Sequence, residues 1–444
     1  MEAHTLGLVE AVQALRSGKL DAADYRATLL SRAQRTEPTL RAFTVLAGDV
    51  PPGGADPTVG GPLAGVPVAV KDIIATRDFP TANGSPAYAG HVPAADAWVV
   101  ERLQALGGSV LGKTVTTEFA WREPGPTGNP WNLAHTPGGS SSGSAAAVAA
   151  GLAPLAFGTQ TFGSILRPAA YCGVVGLKPS FGAVPRVGVH PLAGSLDHVG
   201  FFTRSVTDAA YALSLFAGSD ARDRHGLPLP PFAIDVSAGL SPLGAPPRIA
   251  LVRTPRWGEA DAGARALVEA SASAFAGAGA TVEEVTLPTG YDRLAEDART
   301  ILAAEASATF APLVARDPDR TSTYLKDLVA EGARVAAPAY VAALRRQAEL
   351  REGFGAALGS YDVVLTLPAS GAAPRGLAFT GEPGFCVPWT CLGVPTIALP
   401  AGETAEGLPL GLQLVGRYRG DLALLRAAAW CKGVLAHPRR FPSL

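Results

Sequence analysis

Charge of either sign is scarce in this chain. Asp, Glu, Lys and Arg make up only 17% of its 444 residues, and 37 basic against 38 acidic side chains leave a formal net charge of −1. Nothing in that balance calls for nucleic acid or an anionic membrane as partner. Cysteine is sparse as well: Cys172, Cys386, Cys391 and Cys431 include no CxxC pair, and a reduced, cytoplasmic protein fits that usage. Long apolar runs are missing; stretches such as Ala145 to Ala150 are Ala-rich and far short of a bilayer span. The opening Met1-Glu2-Ala3-His4 brings an acid early and leads into a short amphipathic pattern, not a basic n-region followed by an apolar h-region, so no secretion is indicated. Without export, the sequon Asn83-Gly84-Ser85 reads as a turn. Lysine is rare, six residues against 31 arginines. What the chain has in quantity is hydrophobic residues, 48%, enough for one large core or two ordinary ones.

Leu8, Val12 and Leu15 recur at helical spacing, and Asp21 with Asp24 starts a second helix through Tyr25, Leu29 and Leu30. The Pro/Gly stretch from Val50 to Pro62 predicts a loop, and Val66 to Val70 a buried strand ending at Lys71. There follow a helix over about Ala94–Leu106, a strand at Ser109–Leu111, a serine-glycine loop, an Ala-rich helix stopped by Gly151, and a strand through Leu155–Phe157. A connector over 218–247 gives way to strands at Arg248–Arg253 and Thr281–Leu287, a mostly helical stretch over 291–359, strands at Tyr361–Leu367, Thr396–Leu399 and Leu410–Val415, and a helix near Asp421–Leu435. This alternation, with no fixed-period repeat, implies an α/β fold in which helices cover a sheet.

Three strings in the glycine-rich half suggest chemistry. Gly107-Gly108-Ser109-Val110-Leu111-Gly112-Lys113-Thr114 matches a phosphate-binding loop literally, but such a loop follows a strand and opens a helix, and here the order is reversed. Gly139-Ser140-Ser141-Ser142-Gly143 satisfies G-x-S-x-G, yet Asn129 to Pro137 before it is loop chemistry, and the imidazoles in the required order, His225 and His437, have no motif around them. The third reading joins Lys71, the serine-glycine cluster Gly138 to Ser144, and the run Gly158-Thr159-Gln160-Thr161-Phe162-Gly163-Ser164-Ile165-Leu166-Arg167-Pro168. Residues 161–164 fall between a strand and a helix start, where successive N–H groups can point into one cavity and stabilise the oxyanion formed when Ser164 attacks a carbonyl. Lys71 can take the proton if burial keeps it neutral, which arginine cannot do. The bland alternative has Lys71 snorkelling to solvent and paired with Asp72.

At these residues the chain resembles the amidase signature family of serine hydrolases. The match runs through Gly65 to Asp72, Gly112-Lys113-Thr114 with Thr117-Glu118-Phe119, the glycine-serine cluster, Ser164 and its flanks, Cys172-Gly173 and Gly176-Leu177-Lys178-Pro179, then Gly393-Val394-Pro395 and Gly407 to Gly416. The resemblance implies one domain over 1–444: N-terminal helices in 1–50, a signature core in 61–216, a connector with strands and a largely helical part in 217–359, and a return to the core in 360–444. It implies a mixed central sheet flanked by helices on both faces. It also implies a Ser-cisSer-Lys triad, with Ser164 as nucleophile, Ser140 as bridging serine on a cis peptide and Lys71 as base, and backbone N–H groups of Thr161, Phe162 and Gly163 as the oxyanion hole. Two departures stand out. Phe162 replaces the usual glycine or alanine, which would be strained if that position needs φ > 0 and otherwise leaves the ring lining the site. Arg167 sits three residues after the nucleophile and Gln160 replaces a more common aspartate, a pattern similar to the malonamidase-like branch, whose arginine holds a substrate carboxylate; the alternative is an arginine at the surface or a helix end.

The expected activity is hydrolysis of the C–N bond of a small amide, one that could bear a carboxylate, through an acyl-enzyme and without metal or cofactor. The expected partners are a small-molecule amide, no nucleic acid, no membrane, and a second copy in a homodimer. Two alternatives stay open: the ammonia-generating subunit of a tRNA-dependent amidotransferase, and a binding protein whose oxyanion hole Phe162 blocks.

Overall fold

A computed structural model describes residues 2–50, 60–227 and 229–444. Eleven strands form one mixed sheet: β1 (Phe43–Leu46), β2 (Pro67–Lys71), β3 (Ser109–Thr114), β4 (Leu155–Gln160), β5 (Val175–Lys178), β6 (His198–Thr203), β7 (Arg248–Leu251), β8 (Thr281–Glu284), β9 (Val363–Thr366), β10 (Thr396–Glu403) and β11 (Pro409–Val415). Their spatial order is β1-β3-β2-β4-β6-β5-β10-β11-β9-β7-β8. β2 lies parallel to both β3 and β4, and β7 is parallel to β8 and β9, while the centre from β4 through β6, β5 and β10 to β11 is antiparallel. Every residue of β2, β3 and β4 is buried, as strands covered on both faces require, and their sequences accordingly run apolar instead of alternating.

The two N-terminal helices form at Leu8–Arg16 and Ala22–Leu40, the second capped by Asp21, whose carboxylate accepts from the N–H groups of Ala23 and Asp24. Most of the loop expected at 50–62 lies outside the described residues, as does Met1. The helix expected from Ala94 begins only at Trp98, and the strand expected at Ser109–Leu111 extends to Thr114. The order helix, glycine turn, strand thus holds through the phosphate-loop string. Lys113 projects from β3 into the interior, where its Nζ donates to Ile74 O (2.8 Å) and Thr76 Oγ1 (3.0 Å) and lies 3.4 Å from Asp72 Oδ1. Asn83 and Gly84 form the expected turn with φ of 55° and 66°, and Asn83 is buried.

The aromatic core of the signature half is Phe157 on β4, packed against Phe201 on β6 and Phe216 on the helix Val206–Phe216. The mostly helical part resolves into Leu294–Arg316, Thr323–Gly332 and Ala337–Leu358. The first two contribute Ala295, Arg299, Leu302 and Tyr324 to the wall of the cavity described below. Among the described residues no helix is long and apolar enough to cross a membrane, and the four cysteines are buried and unpaired.

Candidate active site

Because β2 and β4 are parallel neighbours, with Val70 beside Phe157, their C-terminal ends open on the same edge, the usual place for a site in a sheet of this kind. Lys71 is the last residue of β2. Its side chain is fully buried, with Nζ 2.7 Å from Ser140 Oγ and 2.7 Å from Thr159 Oγ1. Burial drives its pKa well below the ordinary lysine value, with the nearby Asp197 pulling the other way. Asp72 is turned away toward Lys113, so the exposed Lys71–Asp72 pair is absent.

The serine-glycine loop divides its labour. Ser144 Oγ donates to Phe157 O (2.9 Å) and Ser141 Oγ to Thr159 O (3.2 Å), fastening the helix Ser142–Ala149 to β4, while Ser142 Oγ closes back on Gly138 O (2.7 Å). Ser140 alone of these reaches Lys71. The Gly139–Ser140 peptide is cis. Ser140 and Ser164 line one cavity of about 250 Å³, together with Thr161, Phe162, Arg167 and Trp121.

The turn from Thr161 to Ser164 is held by everything except its amides. Gln160 Oε1 accepts from the N–H groups of Ile165 (2.8 Å) and Leu166 (3.0 Å), and Gln160 Nε2 donates to Thr390 Oγ1 (2.8 Å). Thr390 Oγ1 in turn donates to Phe162 O (2.7 Å), and Thr161 Oγ1 donates to Asp197 Oδ1 (2.6 Å). Among the described residues none of the N–H groups of Thr161, Phe162 and Gly163 has a protein acceptor. The backbone of Phe162 is not left-handed, so phenylalanine is unstrained there. Its ring lines the cavity and meets Trp121 edge-on at 6.3 Å. Trp121 is itself held between Arg122 (5.4 Å) and Arg299 (5.1 Å), with its indole N–H on Tyr324 O (3.1 Å).

Arg167 is neither at the surface nor fraying from a helix end. It is buried in the helix Leu166–Cys172, and its guanidinium donates to Gly381 O (2.7 Å), Gly139 O (2.5 Å) and Thr380 Oγ1 (3.4 Å). Its Nε has no partner, and its guanidinium partners among the described residues are all neutral. A buried cation with neutral acceptors only is unusual in a fold, and it borders the cavity that holds both serines.

Lys71, Ser140, Ser164, Thr161, Phe162, Gly163 and Arg167 therefore all fall in one place. Thr159, Asp197 and Thr390 did not emerge from the sequence. Thr159 had a signal, a polar residue two positions past the apolar run of β4 beside the strand that ends in Lys71. Asp197 and Thr390 had none, since they meet the turn only through the sheet and the helix Val387–Cys391.

Comparison with known proteins gives matches over nearly the whole chain. A family profile described as Amidase matches residues 28–425. A relative from Synechococcus sp. (strain CC9605), named as one subunit of the glutamyl-tRNA(Gln) amidotransferase, is 35% identical over 463 residues, covering 94% of each chain. The native peptide amidase of Stenotrophomonas maltophilia superposes with a TM-score of 0.86 at 32% identity, covering 99% of this chain and 98% of that one. An inhibitor-bound chain from a vestigial protein complex, tied to the origins of an s-triazine catabolic enzyme, superposes at 0.88 with 28% identity over 98% and 99%. Relatives at 33–36% identity carry the amidotransferase name, so the similarity does not point specifically to the malonamidase-like branch that the 160–167 pattern resembles. These comparisons overturn the expected partner set of a small amide, no nucleic acid and a homodimer. The relative is named for its place in a multi-subunit enzyme and for a tRNA, and the s-triazine neighbour comes from a protein complex. The near-zero net charge is a sum over the chain and is silent on local surface.

Proposed function

The chain belongs to the amidase family, and on that premise we propose that it releases ammonia from a carboxylate-bearing primary amide through an ester on Ser164, as one member of a larger assembly. The observation that carries the chemistry is the buried contact of Lys71 Nζ with Ser140 Oγ at 2.7 Å, with Ser140 and Ser164 facing one cavity. A neutral Lys71 accepts the Ser140 hydroxyl proton and keeps an N–H on Thr159; Ser140 then accepts the proton of Ser164 as Ser164 Oγ attacks the amide carbon. The carbonyl oxygen gains charge against the free amides of residues 161–163. As the C–N bond breaks, the proton returns by the same route to the departing nitrogen, and a water activated through the same pair cleaves the ester. The unpaired charge of Arg167 supports a substrate carboxylate, which can use its free N–H groups.

The reading as part of an assembly takes its support from relatives that match nearly the whole chain under the amidotransferase name. It is tested by purifying the tagged chain from its native cells and assaying ammonia release from glutamine. The expected result is a stoichiometric heteromer in which release is faster than from the chain alone. A lone chain that works as fast as any complex would contradict it. A second reading, hydrolysis of peptide-like amides, is favoured by the rim of the cavity, where Tyr324 and Phe379 stay 42% and 54% exposed beside Trp121, and by the peptide amidase neighbour. In that case C-terminally amidated peptides outperform glutamine.

A further inference from the structure

Asp197 lies outside the triad, yet its carboxylate is buried within the same hydrogen-bonded unit. Oδ1 accepts from Thr161 Oγ1 (2.6 Å), and Oδ2 accepts from the N–H groups of Leu192 (2.9 Å) and Ala193 (3.0 Å). It therefore ties the segment before β6 to the first residue of the turn that presents the three free amides. Together with Thr159, the partner of Lys71, and Thr161, it also lines a second cavity of about 300 Å³.

We propose that Asp197 is a positioning residue with two separable effects: it holds the amide turn in place through Thr161, and its negative charge sets the pH at which Lys71 becomes a base. The inference rests on Ser164 as nucleophile and Lys71 as base. The other charged or titratable groups nearby are already committed. Asp72, next in the chain to Lys71, faces Lys113 at 3.4 Å. Arg186 binds Asp223 through its guanidinium and donates from Nη1 to the carbonyl oxygens of Gly194 and Asp197. His198 gives Nδ1 to Leu196 O (2.6 Å), and burial holds its pKa well below the ordinary histidine value, so it is neutral. That leaves Asp197, which holds Thr161 at 2.6 Å two residues beyond Thr159, itself 2.7 Å from Lys71 Nζ, as the acid on this side of the amine. Its own pKa is pushed up to about 6 by burial, and above that pH it carries its charge. An anion beside an amine stabilises the ammonium form, and removing it lowers the pH at which Lys71 turns neutral.

The test uses the full-length chain and a fluorophosphonate probe, with the rate of Ser164 labelling followed against pH, so that no substrate need be known. Asp197→Asn should move the acid limb of that profile to lower pH by about one unit. Thr161→Val, which keeps the charge and removes the tie, should slow labelling about tenfold, a typical loss for a weakened oxyanion interaction, with the limb unmoved. An unshifted limb in Asp197→Asn would overturn the electrostatic half. Wild-type labelling in Thr161→Val would overturn the positioning half, and that variant decides the matter if Asp197→Asn does not fold. Absence of labelling in the wild-type chain would instead remove the reading of Ser164 on which the inference stands.

Discussion

At the scale of single residues, the proposed chemistry depends on keeping one lysine uncharged. A primary amine in water holds its proton to about pH 10.4, and an ammonium ion cannot accept the hydroxyl proton of Ser140. Full burial at the end of β2 removes the solvation that favours the charged form. The direction of the shift fixes the direction of the pH dependence. Above the depressed pKa the amine is free and turnover is full; as pH falls through it, protonation removes the base and kcat/KM falls. Lys71→Met, which preserves the buried volume, should lower kcat by at least about a thousandfold, since it removes base and acid from every step, and should abolish that limb. Titration of the variant against the parent with a released-ammonia assay checks both. Lys71 was legible in the sequence because a lysine ending an apolar strand in an arginine-rich chain needs a reason. Arg167 was legible in identity but not in environment: no spacing rule shows that its guanidinium is held by the carbonyl oxygens of Gly139 and Gly381.

At the scale of elements, the strand β4 joins stability to chemistry. Its apolar first half anchors the sheet through Phe157, and its polar end, Gly158-Thr159-Gln160, supplies the contact to Lys71 and the cap on the helix after Ser164. Phe157→Ala empties a site ringed by Phe201 and Phe216 and should cost about 3–5 kcal/mol, read as a lowered urea midpoint for the signature half. An unchanged midpoint would mean that β4 is not part of the cooperative core. Strands with continuous apolar runs, such as β2, β4, β9 and β11, were readable from sequence to within a few residues. β5 and β6 were not named, because Gly176 and Gly200 interrupt their apolar runs. In the fold each allows a close approach instead: a Cβ on Gly176 would lie 2.5 Å from Ala169 Cβ, and one on Gly200 would lie 2.2 Å from Leu177 O. Glycine there serves packing between β5, β6 and the helix that follows Ser164.

At the scale of the whole molecule, the order of strands explains why residues 71, 140 and 164 meet at all. β2, β3 and β4 run parallel, so Lys71 at the end of β2, the segment with Ser140 after β3 and the turn with Ser164 after β4 all leave the sheet on one edge. That meeting was expected from the resemblance, and the sheet order supplies its physical cause. Association was not readable. A net charge near zero is a sum over one chain, whereas partners are chosen by local surface, and the amidotransferase names of the relatives corrected the expectation. Both functional readings share one covalent intermediate, so the most direct test of the account is to look for it. Acid-quenched turnover of glutamine and of an amidated peptide, with the chain alone and in any heteromer it forms, followed by digestion and mass measurement, should place an acyl group on the peptide containing Ser164. The adduct and the turnover should both vanish in Ser164→Ala. Sustained ammonia release by Ser164→Ala, or an adduct on any other residue, would contradict it.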